Sequence, residues 1–257
     1  MRNPLYLPPA SFLLLALTLA ISSSVFAAGG PPMITDDPGT PGDGHWEINI
    51  ATLSTHAADA STYQVPLVDI NYGIGDRLQL KFELPWIAQK QTNGTRLNGA
   101  GNGLAGIKWR FYDGGEDNWQ ISTYPQVEFM ASPSTSASAE MDDSGTSYLL
   151  PFELLHRFGD NDITLDLGRW FCPQQQADSW IAGVAFTHEL RKGIELLAEL
   201  HDQKIVRQPQ DTLTLNFGAR WDLSESYTLM FSAGRDLHSS INEKSTLLTY
   251  LGLQMHY

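Results

Sequence analysis

Residues 77–86 read RLQLKFELPW, that is Arg77-Leu78-Gln79-Leu80-Lys81-Phe82-Glu83-Leu84-Pro85-Trp86. Leu78, Leu80, Phe82, Leu84 and Trp86 alternate with Gln79, Lys81 and Glu83. Side chains of a strand point to opposite faces in turn, so this stretch has one wholly apolar face and one polar face. A helix of the same sequence would scatter both kinds around its axis. Period two held over ten residues is therefore a strand signal.

The same period recurs on both sides of this stretch. HWEINIA places Trp46, Ile48 and Ile50 against Glu47 and Asn49, and VDINYGI places Val68, Ile70 and Tyr72 against Asp69 and Asn71. Downstream, AGIKWRF, WQISTYPQVEF, YLLPFELLHRF, DITLDLG, WIAGVAFTHEL, IELLAELH, TLTLNFGARWDL, YTLMFSAG and TLLTYLGLQMHY continue it. About twelve strands result. Pro66, Pro125 and Pro151 fall inside them, where a missing N–H weakens a strand assignment. The connections sort into two sets. GIGD, YDGGEDN, GDND, RKG and SES are tight. STHAADAST, IAQKQTNGTRLNGAGNG, ASPSTSASAEMDDSGTS, CPQQQAD, QKIVRQPQD and HSSINEKS are longer. A β-sandwich also alternates in polarity but has no reason to keep every second loop short. Short turns at one end and longer loops at the other are the pattern of a transmembrane up-and-down barrel.

The start of the chain fits export. Arg2, the apolar run Ser11–Ile21 and the small-x-small site Val25-Phe26-Ala27 compose a secretory signal peptide over residues 1–27. The apolar run is shorter than the ~18 residues of a spanning helix. Cys172 is the single cysteine, so no intrachain disulfide is available. No later run is apolar enough for a spanning helix, a test that is blind to barrels because their strands alternate. The expected organisation is a signal peptide at 1–27, a periplasmic or plug-like segment at 28–44, and an antiparallel barrel at 45–257. Trp46, Trp86, Trp119, Trp180, Trp221, Tyr227 and Tyr257 lie near strand ends, as interfacial girdles require. The aromatic-terminated last strand is of the kind that barrel-insertion machinery recognises.

Lipid faces the apolar side, so the polar side faces the lumen. The candidate pore-lining residues are Glu47, Asp69, Lys81, Glu83, Lys108, Arg110, Glu128, Glu153, Arg157, Asp166, Glu199 and Arg220. They either set the polarity of a pore or pair across it and close it. Arg169 and Arg235 fall on the lipid side near outer strand ends. There an arginine can meet lipopolysaccharide phosphate, or the strand has already ended. No GxSxG, HExxH or CxxC motif is present, so no catalytic residue, metal site or cofactor is expected. A net charge of −13 without a basic patch argues against nucleic acid. Residues 36–44, DDPGTPGDG, suggest a calcium loop until the spacing is checked. Asp36 and Asp37 are adjacent, Pro38 interrupts, and Asp43 follows six residues later, which breaks the alternation of ligands such a loop needs. The run with Asp36, Asp37 and Asp43 is instead the entry segment, folded into the lumen as a plug or left outside as a tether.

Three motifs also carry a resemblance. Gly30–Pro32, Thr35–Pro38 and Gly44–Glu47 resemble the start of the mature chain in a bacterial outer-membrane family named for the MetA pathway of phenol degradation. NYGIGDRLQLKFELPW and NGAGNGLAGIKWRF are similar to later parts of that family. The match covers roughly the first third of the mature chain. It implies an outer-membrane barrel that passes small organic, and by the family name aromatic, compounds. The expected function is thus a channel for small molecules, with lipid, lipopolysaccharide, the insertion machinery and a solute as partners. A non-transporting structural or surface-binding barrel is the alternative, and an outer-membrane lipid hydrolase a more remote one.

Overall fold

The computed structural model describes residues 30–115, 118–131, 145–173, 178–206, 210–240 and 244–257. The signal-peptide assignment lies outside them. The described chain folds into β1 (Trp46–His56), β2 (Ala60–Ile74), β3 (Leu78–Gln91), β4 (Arg96–Ala100), β5 (Asn102–Asp113), β6 (Trp119–Thr123) and β7 (Gln126–Met130). It continues with β8 (Ser147–Phe158), β9 (Asn161–Phe171), β10 (Ser179–Arg191), β11 (Ile194–Ile205), β12 (Asp211–Ser224), β13 (Tyr227–Ser239) and β14 (Leu247–His256). Two neighbouring pairs are single spans with an interruption. β4 and β5 both pair with β3 on either side of Gly101, and β6 and β7 both pair with β8 on either side of Tyr124-Pro125. Pro125 cannot donate to a ladder, which accounts for the second break. The fourteen segments therefore make twelve antiparallel spans. β1 pairs with β14 from Glu47↔His256 to His56↔Leu247, which closes the barrel. Trp46 and Tyr257 exchange backbone hydrogen bonds at 2.8 and 3.0 Å across that seam.

Polarity is inverted relative to a water-soluble core. Phe217, Leu167, Leu251 and Phe152 are all more than half exposed, while Glu153, Glu199, Asn49 and Asp69 are buried. A closed barrel leaves no unpaired edge, so the backbone is satisfied within the hydrocarbon and the apolar face can meet lipid. The seven aromatics expected at strand ends all face outward. Trp46 packs on Tyr72 at 4.6 Å, and Trp119 stacks on the outward His156 at 4.3 Å, both at the end that carries the termini.

That end also carries the tight turns. Gly159 and Gly193 adopt φ of 60° and 78°, a left-handed conformation open to glycine without a Cβ penalty. The opposite end differs from the loop expectation in its first half. β1 and β2 run on to His56 and Ala60, so STHAADAST is mostly strand with a three-residue connection. β3 and β4 likewise extend to Gln91 and Arg96, and GAGNGLAG lies in β4 and β5 rather than in a loop. Alternating polar residues such as Gln89 and Gln91 suit a hairpin projecting beyond the membrane, where both faces meet water.

Candidate functional site

Strand parity places all twelve candidate charged residues on the inward face. They do not form one continuous lining but separate groups. On β1–β3, Lys81 Nζ lies 3.4 Å from Asp69 and 3.1 Å from Glu83. Asn49 and Asn71 donate to Asp69 at 3.2 Å each, and Glu47 accepts from Asn49 at 3.4 Å. On β5–β8, Lys108 lies 3.8 Å from Glu153, which accepts from Ser122 at 2.5 Å, and sits 4.7 Å from the Tyr124 ring. On β11–β13, Glu199 accepts from Asn216 at 3.0 Å, and Arg220 lies 3.4 Å from Glu195. Arg110 with Asp113 (3.3 Å) and Arg157 with Asp162 (3.0 Å) lie toward the tight-turn end. Glu128 on β7 accepts from Asn102 on β5 at 3.1 Å.

Residues 30–45 run among these groups. Asp43 accepts from the Gly75 N–H at 2.8 Å, and Thr40 donates to the Asp76 carbonyl at 3.1 Å, which fixes the entry at the tight-turn end. Asp36 then meets Lys108 at 2.9 Å, and Lys108 also donates to the Asp37 carbonyl. At the apex the N–H groups of Ile34 (2.9 and 3.0 Å) and Thr35 (2.8 Å) donate to the Glu199 carboxylate. The chain turns back there, with Gly30 N–H bonded to the Thr35 carbonyl. Arg220 donates to the carbonyls of Pro31 (2.9 and 3.1 Å) and Gly30 (3.3 Å), and Ser232 donates to that of Pro32 at 2.9 Å. Asp37 is buried and holds the Gly39 N–H at 2.5 Å.

The wall gives way where this segment passes. A Cβ on Gly183 of β10 would stand 2.4 Å from Thr35 Oγ1, and one on Gly218 of β12 would stand 2.4 Å from Met33 Cε. A Cβ on Gly73 would overlap the Gly42 carbonyl at 1.8 Å. Thr35, Met33, Asp37 and Pro38 are correspondingly buried.

Beyond the apex, toward the loop end, a cavity of about 240 Å³ remains. Ile34 and Asp36 form part of its lining, together with Glu153, Asp166, His201 and Trp170. The uncharged inward residues Tyr124, Asn216, Ser232 and Trp170 escaped a reading confined to charges. Trp170 shares its parity with Thr164 and Asp166, and that parity, rather than its place near a strand end, sets its direction. Of the two outward arginines, Arg169 is paired with Asp178 at 3.1 Å and lies over Phe171 and Trp180. Arg235 is exposed on β13.

Twelve antiparallel spans, an apolar belt between aromatic girdles and a polar interior define a transmembrane β-barrel of the bacterial outer-membrane type. Solved structures of the same fold include the COG4313 outer membrane channel from Pseudomonas putida F1 (TM-score 0.66, 14% identity, 86% of this chain and 98% of that one). The NanC porin (0.59, 8%, 81% and 98%) and the KdgM porin (0.55, 10%, 80% and 98%) are also similar. No protein-family model and no curated protein matches the chain.

Proposed function

We propose that this chain is an outer-membrane channel for small organic molecules, with residues 28–44 acting as an internal plug that sets its conductance. The observation that carries this reading is the cavity of about 240 Å³ that ends on Ile34 and Asp36 inside a closed, polar-lined barrel. The fold-mates named above are an outer membrane channel and two porins, and the KdgM porin was also solved in complex with disordered oligogalacturonate. The resemblance to the outer-membrane family of phenol degradation supports the same role and favours organic solutes. In this reading the twelve inward charges hold the plug and set the polarity of the path. The chain reaches the membrane through a signal peptide cleaved near Ala27, and its aromatic last strand is read by the insertion machinery. Arg235 is free to approach lipopolysaccharide phosphate at the outer rim, whereas Arg169 is already held by Asp178.

The ion pairs among the inward charges favour one second reading, a sealed barrel with a structural or surface-binding role. Single-channel recording and liposome swelling separate the two. The mature chain should pass small solutes, and deletion of residues 30–40 should raise its conductance. A barrel that stays silent with and without the segment would refute the channel and leave the fold standing.

A further inference from the structure

Two carboxylates face the cavity without a full complement of partners. Glu153 on β8 and Asp166 on β9 are direct cross-strand partners on the inward face. Directly opposed residues in an antiparallel pair have Cβ atoms only about 4.5–5.5 Å apart, so two like charges there are unfavourable unless something neutralises them. Glu153 is fully buried and Asp166 is 6% exposed. Lys108 and Ser122 engage Glu153 Oε2, yet Glu153 Oε1 and Asp166 Oδ1 meet no hydrogen-bond donor among the described residues. A buried carboxylate oxygen left without a donor costs free energy on the order of 1–3 kcal/mol or more. Both atoms belong to residues that line the cavity.

The charge balance around them is one-sided. Among the described residues, Asp36, Asp69, Glu83, Glu153 and Asp166 are opposed by Lys81 and Lys108, a formal excess of three negative charges. Lys81 is already engaged by Asp69 and Glu83, and Lys108 by Asp36. The same wall also carries apolar side chains. Leu149, Pro151, Trp170 and Ile181 project inward from β8, β9 and β10 beside the two carboxylates. An inward tryptophan among aliphatic side chains is unusual for a surface that meets only water and inorganic ions. It suits the body of an organic molecule and can also face a cation.

We propose that Glu153 and Asp166 form a binding site for a small organic ammonium ion. The ammonium head donates to Glu153 Oε1 and Asp166 Oδ1, and the apolar or aromatic body lies against Trp170, Leu149 and Ile181. The ligand reaches the site from the loop end, and Ile34 and Asp36 form the floor on which it stops. The inference deepens the channel reading by naming the charge class of the solute, yet the site exists whether or not solute then passes the plug.

The test uses the full mature protein in detergent micelles and three matched probes: 2-phenylethylammonium, neutral 2-phenylethanol and anionic phenylacetate. Isothermal titration should show the ammonium binding at least tenfold tighter than the alcohol, with phenylacetate weakest. Asp166→Asn should remove most of that preference, and so should Glu153→Gln. Should Glu153→Gln fail to fold because Ser122 and Lys108 lose their partner, Asp166→Asn and Trp170→Leu carry the test, the latter weakening ammonium and alcohol together. Equal affinity for ammonium and alcohol, or an unchanged preference in Asp166→Asn, overturns the site. Displacement of the ammonium by millimolar calcium, with no weakening in Trp170→Leu, overturns it in favour of an inorganic cation. Bilayer recording is the separate arm. Ammonium binding without conductance sinks the channel and leaves the site, whereas conductance without ammonium preference sinks the site and leaves the channel.

Discussion

Replacing Glu199 by alanine should release the apex of the internal segment while leaving the barrel closed. Glu199 is 2% exposed, and its carboxylate accepts the N–H groups of Ile34 and Thr35 at 2.8–3.0 Å. A hydrogen bond to a charged acceptor contributes about 1.5–3 kcal/mol, so the two together hold the apex by roughly 3–6 kcal/mol. At about 1.4 kcal/mol per factor of ten, amide exchange at Ile34 and Thr35 should accelerate roughly 10²- to 10⁴-fold. Glutamine at this position keeps one acceptor oxygen and loses the charge, so its effect should be smaller by about half on the logarithmic scale. The assay is hydrogen–deuterium exchange of the folded protein in micelles, read for residues 30–40 and, as an internal control, for β9 and β10. Unchanged exchange at residues 34 and 35 in Glu199→Ala would refute the docking argument. Acceleration spread evenly through β9–β12 would refute it differently, by showing that Glu199 holds the wall rather than the segment.

Other perturbations probe the wall, the lumen and the segment separately. Leu165→Arg, on the lipid face in the middle of β9, should cost about 2–4 kcal/mol in urea-dependent folding into vesicles; no loss would show that this face does not meet hydrocarbon. Lys108→Met strands Asp36 and Glu153 beside one another and should cost about 3–5 kcal/mol by the same titration, partly recovered by Asp36→Asn in the same chain. Gly183→Val places side-chain atoms where Thr35 sits, since even a Cβ would lie 2.4 Å from its hydroxyl. It should raise conductance and exchange at Thr35 with little change in the thermal midpoint, and wild-type values of both would contradict the close approach. Burial pushes the Asp36 carboxyl up, but the Lys108 and Lys81 charges outweigh it and hold it below its ordinary value of 3.8. Its ionised form thus stabilises the docked segment at every pH above that value, and the contribution is lost only as pH falls through the lower docked value. Protection of the amides at residues 34–37, taken relative to their intrinsic exchange rates at each pH, should therefore be flat from neutral to mildly acid conditions and fall only in strong acid; a fall near neutrality would contradict this.

The wall was legible because a membrane barrel has a single strong rule. Lipid on one side and water or polar groups on the other force period two along every span, so RLQLKFELPW sufficed to orient Lys81 and Glu83 inward. The same rule oriented all twelve charges, and it would have oriented Tyr124 and Trp170 had uncharged residues been followed as closely. Span ends were less legible. Outside the membrane a hairpin needs no apolar face, so Gln89, Gln91 and Asn98 read as loop while the backbone stays paired. Pro66, Pro125 and Pro151 cost less than expected, each for a local reason. Pro66 falls at a register shift in β2, and Pro125 separates β6 from β7. Pro151 remains within β8, where its carbonyl still accepts from Thr123 at 2.8 Å.

The position of residues 30–44 had no periodic signature, yet their composition explains the contacts they make. Pro31, Pro32, Pro38 and Pro41 lack an N–H, so this stretch cannot join a ladder as a further strand. Its carbonyls are left without ladder partners, and the lumen supplies donors for them: Arg220 to Pro31, Ser232 to Pro32, Lys108 to Asp37. Of the N–H groups between Pro32 and Pro38, those of Ile34 and Thr35 find Glu199, while that of Asp36 meets Asp166. Arg220 and Lys108 thus meet carbonyls and Glu199 meets N–H groups, so these three buried charges are matched by the backbone polarity they can use. A tether of glycine and serine would present N–H and carbonyl groups at every residue and would not select this arrangement. The proline spacing therefore does two things at once: it keeps the segment out of the sheet, and it sorts its backbone groups to fit the lumenal charges. Glu153 and Asp166 stand just past the apex, and although the Asp36 N–H reaches Asp166, one oxygen of each carboxylate remains open to a cation from outside.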